Sequence, residues 1–304
     1  MSTALTPTAT FSGEVSLGQR LAGFVALTKP RIVELLLVTT VPTMIVAARG
    51  LPPWSLMAAT VAGGTLAAGG ANALNMIADR DIDAIMRRTR GRPLVTGVLT
   101  PAMALVFAIA LEVIAFAELW ATVNLLSAAL AVSATLFYVF VYTLWLKRTS
   151  RQNIVIGGAA GAVPVLVGWA AVRGSLGWAP VALFALIFVW TPPHFWALAI
   201  RYRDDYRSAR VPMMPAVTTF KSTAARILGY SVLVVASSLL FAGIAGMGPL
   251  FWVSAGVLGV VFFGLALQLW RDPSEARAMR LFHWSITYVT LLFGAMAVDQ
   301  LIFH

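Results

Sequence analysis

The stretch "WSLMAATVAGGTLAAGGANALNMIADRDIDAIMRRTRGRPL", residues 54–94, joins an uncharged segment to a strongly charged one. Its first 25 residues contain no Asp, Glu, Lys or Arg, whereas eight such residues fall within the next 14. A helix needs roughly 20 apolar residues to cross a bilayer core about 30 Å thick. The stretch therefore predicts a membrane-spanning helix that ends near residue 78 at a polar surface.

The same apolar pattern recurs along the chain. Only 11% of the 304 residues are charged and the mean hydropathy is +0.85, whereas soluble domains carry roughly 25% charged residues. Backbone groups in lipid must be hydrogen-bonded within the segment, which favours helices. The sequence predicts an all-α polytopic membrane protein with nine transmembrane helices in a single bundle. The predicted spans are about 32–49, 54–78, 101–118, 121–145, 153–172, 179–200, 224–246, 249–269 and 281–302.

The two ends of the chain and its cysteine content limit the alternatives. Residues 1–18 are polar, contain no Lys or Arg and lack the pattern of a cleaved signal peptide. We predict a disordered tail over 1–18 and one nine-helix domain over 19–304. The absence of cysteine excludes disulfides, thiolate metal ligands and a cysteine nucleophile.

Basic residues are distributed unevenly between the two sides of the predicted bundle. With sides alternating at each span, twenty Lys and Arg fall on the side of the N-terminus and only Arg49 and Arg173 on the other. Lys and Arg accumulate on the cytoplasmic side of membrane proteins. The N-terminus is therefore predicted to be cytoplasmic and the C-terminus to lie on the opposite side. The net charge of +10 reflects topology, so the expected environment is a lipid bilayer and no nucleic-acid partner is expected.

Three polar residues form a stripe at the end of the second predicted span. Residues four apart in a helix lie about 40° and 6 Å from one another, so Asn75, Asp79 and Asp83 share one face. Asp81 points almost the opposite way, and we predict that it forms an ion pair. Carboxylates this close repel unless a cation lies between them, and hard oxygen ligands suit Mg²⁺, which also binds substrate phosphates. Possible phosphate-binding arginines follow directly: Arg87, Arg88, Arg90 and Arg92.

A second acidic cluster lies on the same predicted side, in "HFWALAIRYRDDYRSARVPMMP", residues 194–215. Asp204 and Asp205 would face the first stripe across a cytoplasmic mouth, where two Mg²⁺ ions and a diphosphate could be held between them. The surrounding bases are Lys147, Arg148, Arg151, Arg201, Arg203, Arg207 and Arg210. A solvated helix end and ordinary cytoplasmic-side charge remain the alternatives for both clusters.

Mg²⁺ and diphosphate at the mouth of an apolar bundle indicate group transfer. A metal-neutralised diphosphate is a good leaving group. If its organic part is a long allylic chain, ionisation gives a carbocation that must be kept from water. An apolar bundle with a charged mouth meets both requirements, and transferase chemistry follows more naturally than transport.

Three motifs in order resemble a known family. "NMIADRDIDAIMRRTRGRPL", "TPPHFWALAIRYRDDY" and "VPMMP" are similar to motifs of the heme-modifying branch of the UbiA-type intramembrane prenyltransferases. The resemblance implies nine helices, Mg²⁺ as cofactor, and farnesyl diphosphate and heme B as substrates. It implies addition of a hydroxyethylfarnesyl group at a heme vinyl carbon, release of diphosphate, location in a bacterial-type cytoplasmic membrane and heme A synthase as a candidate partner.

The resemblance also implies residue roles. Asn75, Asp79 and Asp83 would hold Mg²⁺–diphosphate, with Asp204 and Asp205 as the second acidic site. The broader family usually spaces its second set of acids four apart, whereas here the acids are adjacent. Further substrate contacts implied are Arg88, Arg92, Lys147, Arg148, Arg201 and Tyr202. His194 is either a heme-iron ligand or a packing residue, with His283 a weaker candidate and His304 incidental.

Three other functions remain open at this level. A transporter or channel would place ionisable groups near the bilayer midplane, but the mid-span acids Glu34, Glu112 and Asp299 form no convergent set. A prenyltransferase acting on a quinone or chlorophyll precursor would share the first motif and differ at "TPPHFW" and "DDY". A non-catalytic assembly subunit would retain its activity after Asp79 is changed to Asn.

Overall fold

The computed structural model describes residues 15–303, with the side chains of residues 31–37 outside that description. This part of the chain consists of helices and the connections between them, without β-strands. Its helices are α1 (Leu17–Thr28), α2 (Pro30–Ala48), α3 (Trp54–Ala78), α4 (Arg80–Ile85), α5 (Pro93–Thr96), α6 (Pro101–Thr122), α7 (Leu125–Thr149), α8 (Asn153–Arg173), α9 (Trp178–Arg201), α10 (Arg203–Ser208), α11 (Met214–Val217), α12 (Phe220–Ala245), α13 (Pro249–Arg271) and α14 (Glu275–Phe303).

Seven of these helices, namely α6 to α9 and α12 to α14, are long and apolar enough to cross a membrane. The described apolar part of α2, Val38–Ala48, is shorter, and α3 is not among the seven. The predicted all-α membrane fold is therefore confirmed, and each predicted span coincides with a long helix. The count of nine spans stays a prediction.

Helix α1 was not predicted from the sequence. Ser16 and Gln19 form a reciprocal capping box at its start. The backbone N–H of each residue donates to the side-chain oxygen of the other, so two N–H groups at the start of the helix are hydrogen-bonded. Its 12 residues are too few for a span, so a search for spanning windows does not detect it. The predicted tail over 1–18 lies mostly outside the described residues, and its last two residues already belong to α1.

The long helices pack against one another in a single bundle. α3 packs on α6, α6 on α7, α7 on α8, and α8 on both α2 and α9. α9 also contacts α12 and α14, while α13 lies between α12 and α14 and α14 returns to α2. The largest core includes the fully buried Trp196, Phe262 and Tyr288. Large apolar side chains such as Val106 and Val260 are about 70% exposed, as expected of an integral membrane protein whose outer surface contacts lipid.

The helices alternate in direction, so the bundle has two distinct ends. The C-terminal ends of α3, α7 and α9 meet the start of α14 at one end, which we call the basic end. The C-terminal ends of α2, α8, α12 and α14 meet the start of α9 at the other, which we call the far end. This alternation agrees with the sides assigned from the sequence.

Gly168 allows α8 to approach α2 closely. A Cβ atom at this position would lie 2.8 Å from the backbone oxygen of Thr40, and backbone cannot move aside as a side chain can. Gly161, on the same helix, faces open space and has no heavy atom within 4 Å of its would-be Cβ. The contact between α2 and α8 therefore depends on the absence of a side chain at Gly168.

We predict that Gly168→Ala lowers the free energy of unfolding by about 1–3 kcal/mol, the usual effect of overpacking. Gly161→Ala is the matched control and should be neutral or stabilising, since alanine favours helix by up to about 1 kcal/mol. Thermal unfolding of both variants in the same detergent micelle measures the difference. Equal melting temperatures would contradict the close-approach argument.

Candidate active site

The predicted polar stripe lies at the junction of α3 and α4. Asp79 lies between the two helices with φ −92° and ψ 3°, yet the four-residue spacing is kept. The backbone N–H of Asp79 donates to Asn75 O at 2.9 Å, and that of Asp83 donates to Asp79 O at 2.8 Å. All three side chains are buried, whereas Asp81 is exposed. The structure thus places the stripe on the inner face, as its spacing predicts.

Each buried carboxylate has a basic partner from a distant part of the chain. Lys147, near the end of α7, forms an ion pair with Oδ2 of Asp79, and Arg92 donates to Oδ2 of Asp83 at 2.6 Å. The amide of Asn75 donates to Oδ2 of Asp79 at 2.8 Å and to Thr143 Oγ1 at 3.0 Å. These contacts join α3, α4 and α7 around one polar cluster.

A π-helical stretch, Phe137–Leu146, positions the residues contributed by α7. Within it, Thr143 Oγ1 donates to the carbonyl of Tyr138, five residues earlier, at 2.8 Å. The hydroxyl proton is used in this bond, so Thr143 accepts from Asn75. π-Helical turns are rare in proteins, and those that occur are often found at functional sites. Here the stretch directly precedes Lys147, whose ammonium reaches Asp79.

Lys29 belongs to the same cluster, although the sequence did not predict it as a site residue. It lies between α1 and α2 in the left-handed conformation, φ 51°, and its ammonium donates to Asn75 Oδ1 at 2.7 Å. Burial, together with the positive charges of Arg92 and Lys147, lowers the pKa of Lys29 to about 7. No spacing in the sequence relates Lys29 to Asn75, because the contact is tertiary.

The cluster fits a bound cation and phosphate in two respects. Oδ1 of Asp79 is buried without a hydrogen-bond partner, and a carboxylate oxygen in this state suits a metal ligand. The basic groups near the two carboxylates of Asp79 and Asp83 are Lys29, Lys147 and Arg92, which leaves a positive excess suited to an anion. Mg²⁺ typically takes one or two protein carboxylates and completes its shell with phosphate and water.

Arg148 does not reach this cluster. Its guanidinium donates to both carboxylate oxygens of Asp81, at 2.7 and 2.8 Å, and to the carbonyl of Ala78 at 2.7 Å. These hydrogen bonds lower the pKa of Asp81 to about 2. The predicted ion-pair role of Asp81 agrees with this geometry. The guanidinium of Arg148 lies on the outer side of α4, away from the buried cluster, and its contact with diphosphate stays a prediction.

The second acidic cluster lies on α10, directly against α4. Ile82 and Met86 pack on Val211 and Tyr206. Asp205, with a side chain 15% exposed, faces Arg87 at 3.9 Å. Asp204 points outward, with a side chain 73% exposed, and its ion-pair partners are Arg203 and Arg207.

The four carboxylates nevertheless do not converge. Among the described residues, no three acidic or histidine side chains lie close enough to hold one metal ion. Asp204 and Asp205 instead line an open pocket of about 420 Å³ with Arg87, Arg88, Arg201, Tyr202 and Glu275. The predicted joint site of Asp79, Asp83, Asp204 and Asp205 is thus divided into a buried cluster and a pocket beside it.

Arg88 links that pocket to α10. Its guanidinium lies 5.3 Å from the ring centre of Tyr202. The positive charge of Arg88 also acts on Tyr206, whose pKa is nevertheless raised by burial. Arg201 pairs with Glu275 at 3.6 Å across the start of α14. Both predicted substrate contacts therefore line the pocket mouth.

His194 lies deeper in α9 among aromatic rings. Trp190 stacks on its imidazole at 4.3 Å, Phe282 at 4.8 Å, and Phe195 meets it edge-on at 5.2 Å. Ser285 Oγ donates to the carbonyl of Phe282 at 2.6 Å and lies 2.7 Å from His194 Nδ1. Because the hydroxyl has one proton, Nδ1 must carry the other, and Nε2 keeps its lone pair.

The remaining predicted residues have other surroundings. His283 is exposed beside Phe282, and His304 and the side chain of Glu34 lie outside the described residues. Glu112 accepts from Thr135 Oγ1 at 3.1 Å. Asp299 accepts from the backbone N–H groups of Gly248 and Phe251, which places it at the start of α13. Glu112 and Asp299 thus have separate hydrogen-bonding partners.

Comparisons with known proteins agree with this fold. The model of the UbiA prenyltransferase family matches residues 36–287. The chain is 54% identical over 286 residues to a protoheme IX farnesyltransferase of Parafrankia sp., covering 93% of this chain and 91% of that protein. Among solved structures, a digeranylgeranylglyceryl phosphate synthase superposes with a TM-score of 0.76 at 17% identity, over 93% and 99% of the two chains. A UbiA homologue from Archaeoglobus fulgidus bound to GPP and Mg²⁺ has a TM-score of 0.59 at 14% identity, over 90% and 99%.

We predict that Arg92→Met destabilises the protein by about 3 kcal/mol, because it leaves the carboxylate of Asp83 buried without its ion-pair partner. Replacing both residues, Asp83→Asn with Arg92→Met, should recover part of that loss. The exposed carboxylate of Asp81 provides the control, and Asp81→Asn should cost at most about 1 kcal/mol. Thermal unfolding of the metal-free protein in detergent measures all three, and similar losses for Arg92→Met and Asp81→Asn would contradict the prediction.

Proposed function

The chain belongs to the UbiA prenyltransferase family and is an integral membrane enzyme of prenyl transfer, and we propose that it transfers a farnesyl group from farnesyl diphosphate to a vinyl carbon of heme B. Water addition at the adjacent carbon would give heme O, and diphosphate would be released. The observation that carries the choice of substrates is the 54% identity, over nearly the whole of both chains, to a relative named protoheme IX farnesyltransferase.

A prenyltransferase acting on a quinone or chlorophyll precursor is the alternative. It would share the fold and the first acidic stripe. The segments "TPPHFW" and "DDY" favour the heme acceptor, because they supply an imidazole among aromatic rings and a second acidic pair. We therefore retain heme B as the proposed acceptor.

We propose that Asn75, Asp79 and Asp83 hold Mg²⁺ and the diphosphate at the buried cluster. The unpartnered Oδ1 of Asp79 supports this assignment. When bound, Mg²⁺ would neutralise negative charge on the diphosphate and make it a better leaving group. Asp205 and Asp204 would act from the neighbouring pocket, where Arg88, Arg201 and Tyr202 line the mouth.

The basic residues of the cluster would stabilise the departing diphosphate. Lys147 and Arg92 are fixed by their ion pairs with Asp79 and Asp83, and Lys29 by its bond to Asn75. Donors that are already oriented need no reorganisation as negative charge develops on the leaving group. We assign Lys29 the role of a positioning residue, because it acts on Asn75.

The acceptor must provide the electrons for the new bond. The vinyl carbon of heme would form a carbon–carbon bond to the allylic carbon as the carbon–oxygen bond to diphosphate breaks. The positive charge left beside the porphyrin would be captured by water, which then loses a proton. Burial of the cluster below the protein surface would keep water from the allylic carbon until the acceptor is in place.

His194 is the proposed ligand of the heme iron. Its Nδ1–H is held by Ser285, so that Nε2 carries the lone pair a metal requires. It lies seven residues before Arg201 on α9, about 10 Å deeper along the helix axis. A heme bound there would lie on the apolar side of the charged mouth, with the aromatic rings beside it.

The membrane and its orientation also belong to this proposal. The distribution of twenty basic residues against two supports a cytoplasmic N-terminus and an opposite C-terminus in a bacterial-type cytoplasmic membrane. The basic end would then face the cytoplasm, where soluble farnesyl diphosphate is accessible. A heme A synthase is the proposed recipient of the product.

Purified protein incubated with heme B, Mg²⁺ and farnesyl diphosphate should yield a porphyrin heavier by one hydroxyethylfarnesyl modification, detected by mass spectrometry. Asp79→Asn should lower kcat at least about a hundredfold, since it removes charge from the proposed metal ligand. Asp81→Asn is the control and should keep near-normal turnover because its carboxylate faces outward.

An unmodified heme in an assay that succeeds with an established farnesyltransferase would refute the proposed acceptor. Full turnover by Asp79→Asn, with the protein folded, would refute the metal assignment separately. Chelation of Mg²⁺ should abolish turnover and its return should restore it.

We predict that His194→Gly alters the absorption spectrum of bound ferric heme B and that added imidazole restores it. His283→Gly is the control and should leave the spectrum unchanged, because the His283 side chain is exposed whereas that of His194 is buried among aromatic rings. Titration of heme into each purified variant provides the measurement without turnover. A wild-type spectrum for His194→Gly would exclude the imidazole as axial ligand.

A further inference from the structure

A second pocket lies at the far end of the bundle, remote from the acidic clusters. Its volume is about 650 Å³, and residues from α2, α8, α9, α12 and α14 line it. We call it the far-end pocket. The lining residues that matter are Arg49, Arg173, Trp169, Trp178, Ile244 and Gln300.

The far-end pocket gathers the two basic residues that the sequence assigns to this side. Arg49 and Arg173 are the only Lys or Arg there, against twenty on the opposite side. Among the described residues, neither guanidinium has an ion pair or a hydrogen-bond acceptor. Each follows or ends a helix, where a positive charge is favourable. That effect explains each arginine singly, but it does not explain why both line one cavity.

Gln300 is a further polar residue of the lining. Its side chain is only 5% exposed, and its Nε2 is buried without a hydrogen-bond partner. Because that nitrogen has no accessible surface, a ligand in the pocket would not contact it, and the two arginines are the donors that a ligand would meet.

The neighbouring carboxylate, Asp299, has hydrogen-bond partners at the start of α13. It accepts from Gly248 N at 2.6 Å through Oδ2 and from Phe251 N at 3.0 Å through Oδ1. The far-end pocket thus presents two guanidiniums that have no ion pair among the described residues, and such a pair is suited to an oxyanion.

Several of the other lining residues are apolar or aromatic. Trp178 is 79% exposed and Ile244 is 44% exposed, and Trp169 lines the interior of the pocket. Tryptophan is enriched where membrane and water meet. A ligand with an oxyanion head and an apolar body would match both parts of the lining.

We propose that the far-end pocket binds an anionic phospholipid, with its phosphate on Arg49 and Arg173 and its acyl chains along Trp178 and Ile244. Arginine suits this role because its planar guanidinium can bind phosphate through two hydrogen bonds. A carboxylate on a flat apolar molecule, such as a porphyrin, presents related chemistry. The exposed apolar side chains of Trp178 and Ile244 favour the lipid, because they offer a surface for acyl chains beside the two guanidiniums.

Native mass spectrometry of the purified full chain tests the proposal. The protein is mixed with phosphatidylglycerol or phosphatidylcholine of identical acyl chains, and in a third arm with protoporphyrin IX. Wild-type protein should retain one phosphatidylglycerol about tenfold more strongly than phosphatidylcholine. Arg49→Gln with Arg173→Gln should abolish that preference.

A matched control removes the same charge from the other end of the bundle. Arg226→Gln with Arg280→Gln should keep the preference, because both arginines lie at the basic end and outside the acidic clusters.

Three results would overturn the proposal: no lipid preference in the wild-type protein, equal loss of preference in the control pair, or unchanged lipid retention by the Arg49 and Arg173 double variant. Retention of protoporphyrin IX in place of phosphatidylglycerol, lost in that double variant, would overturn the lipid assignment in favour of a carboxylate ligand. Lipid retention is measured without turnover, so the result is independent of the acceptor that the enzyme uses.

Discussion

The burial of two carboxylates where a membrane helix ends imposes the strongest constraint on this protein. Asp79 and Asp83 are almost fully buried, and a charge removed from water is costly unless it is paired. The pairing groups come from separate parts of the chain: Lys147 from α7, Arg92 from the segment before α5. Lys29 adds a third positive charge between α1 and α2. The contacts of these buried side chains therefore hold together the α1–α2 connection, the α3–α4 junction, the segment before α5 and the end of α7.

Irregular backbone positions these groups. Asp79 interrupts the helix between α3 and α4, a π-helical stretch precedes Lys147, and Lys29 has a left-handed conformation. Each departure from regular helix carries a free-energy cost, and such departures concentrate at functional sites. In this protein all three irregular segments lie at the basic end of the bundle, next to the buried cluster. The regular parts of the same helices provide the apolar packing that makes this cost tolerable.

The sequence predicts most of the fold and part of the site, for identifiable physical reasons. Spanning helices follow from apolar length, and the shared face of Asn75, Asp79 and Asp83 follows from helical periodicity; both are local properties. The contact between Lys29 and Asn75 joins residues 46 positions apart, and the engagement of Arg148 by Asp81 joins residues 67 apart. Composition does not predict which basic residues near the mouth face the interior. Only tertiary packing determines that Lys147 pairs with the buried Asp79, whereas the adjacent Arg148 pairs with the exposed Asp81. Helix α1 was missed because its 12 residues are shorter than a span.

The charge balance of the buried cluster also indicates whether the proposed Mg²⁺ would bind alone or together with the diphosphate. Lys29, Lys147 and Arg92 exceed Asp79 and Asp83 by one positive charge when all are ionised. A divalent cation alone would enlarge that excess, and close cations repel at low effective dielectric constant. A prenyl diphosphate carries more negative charge than one divalent cation cancels, so ion and substrate together bring a net negative charge. The cluster is therefore better matched to the metal–diphosphate complex than to free metal, and its unpartnered Asp79 oxygen would be satisfied in the same event.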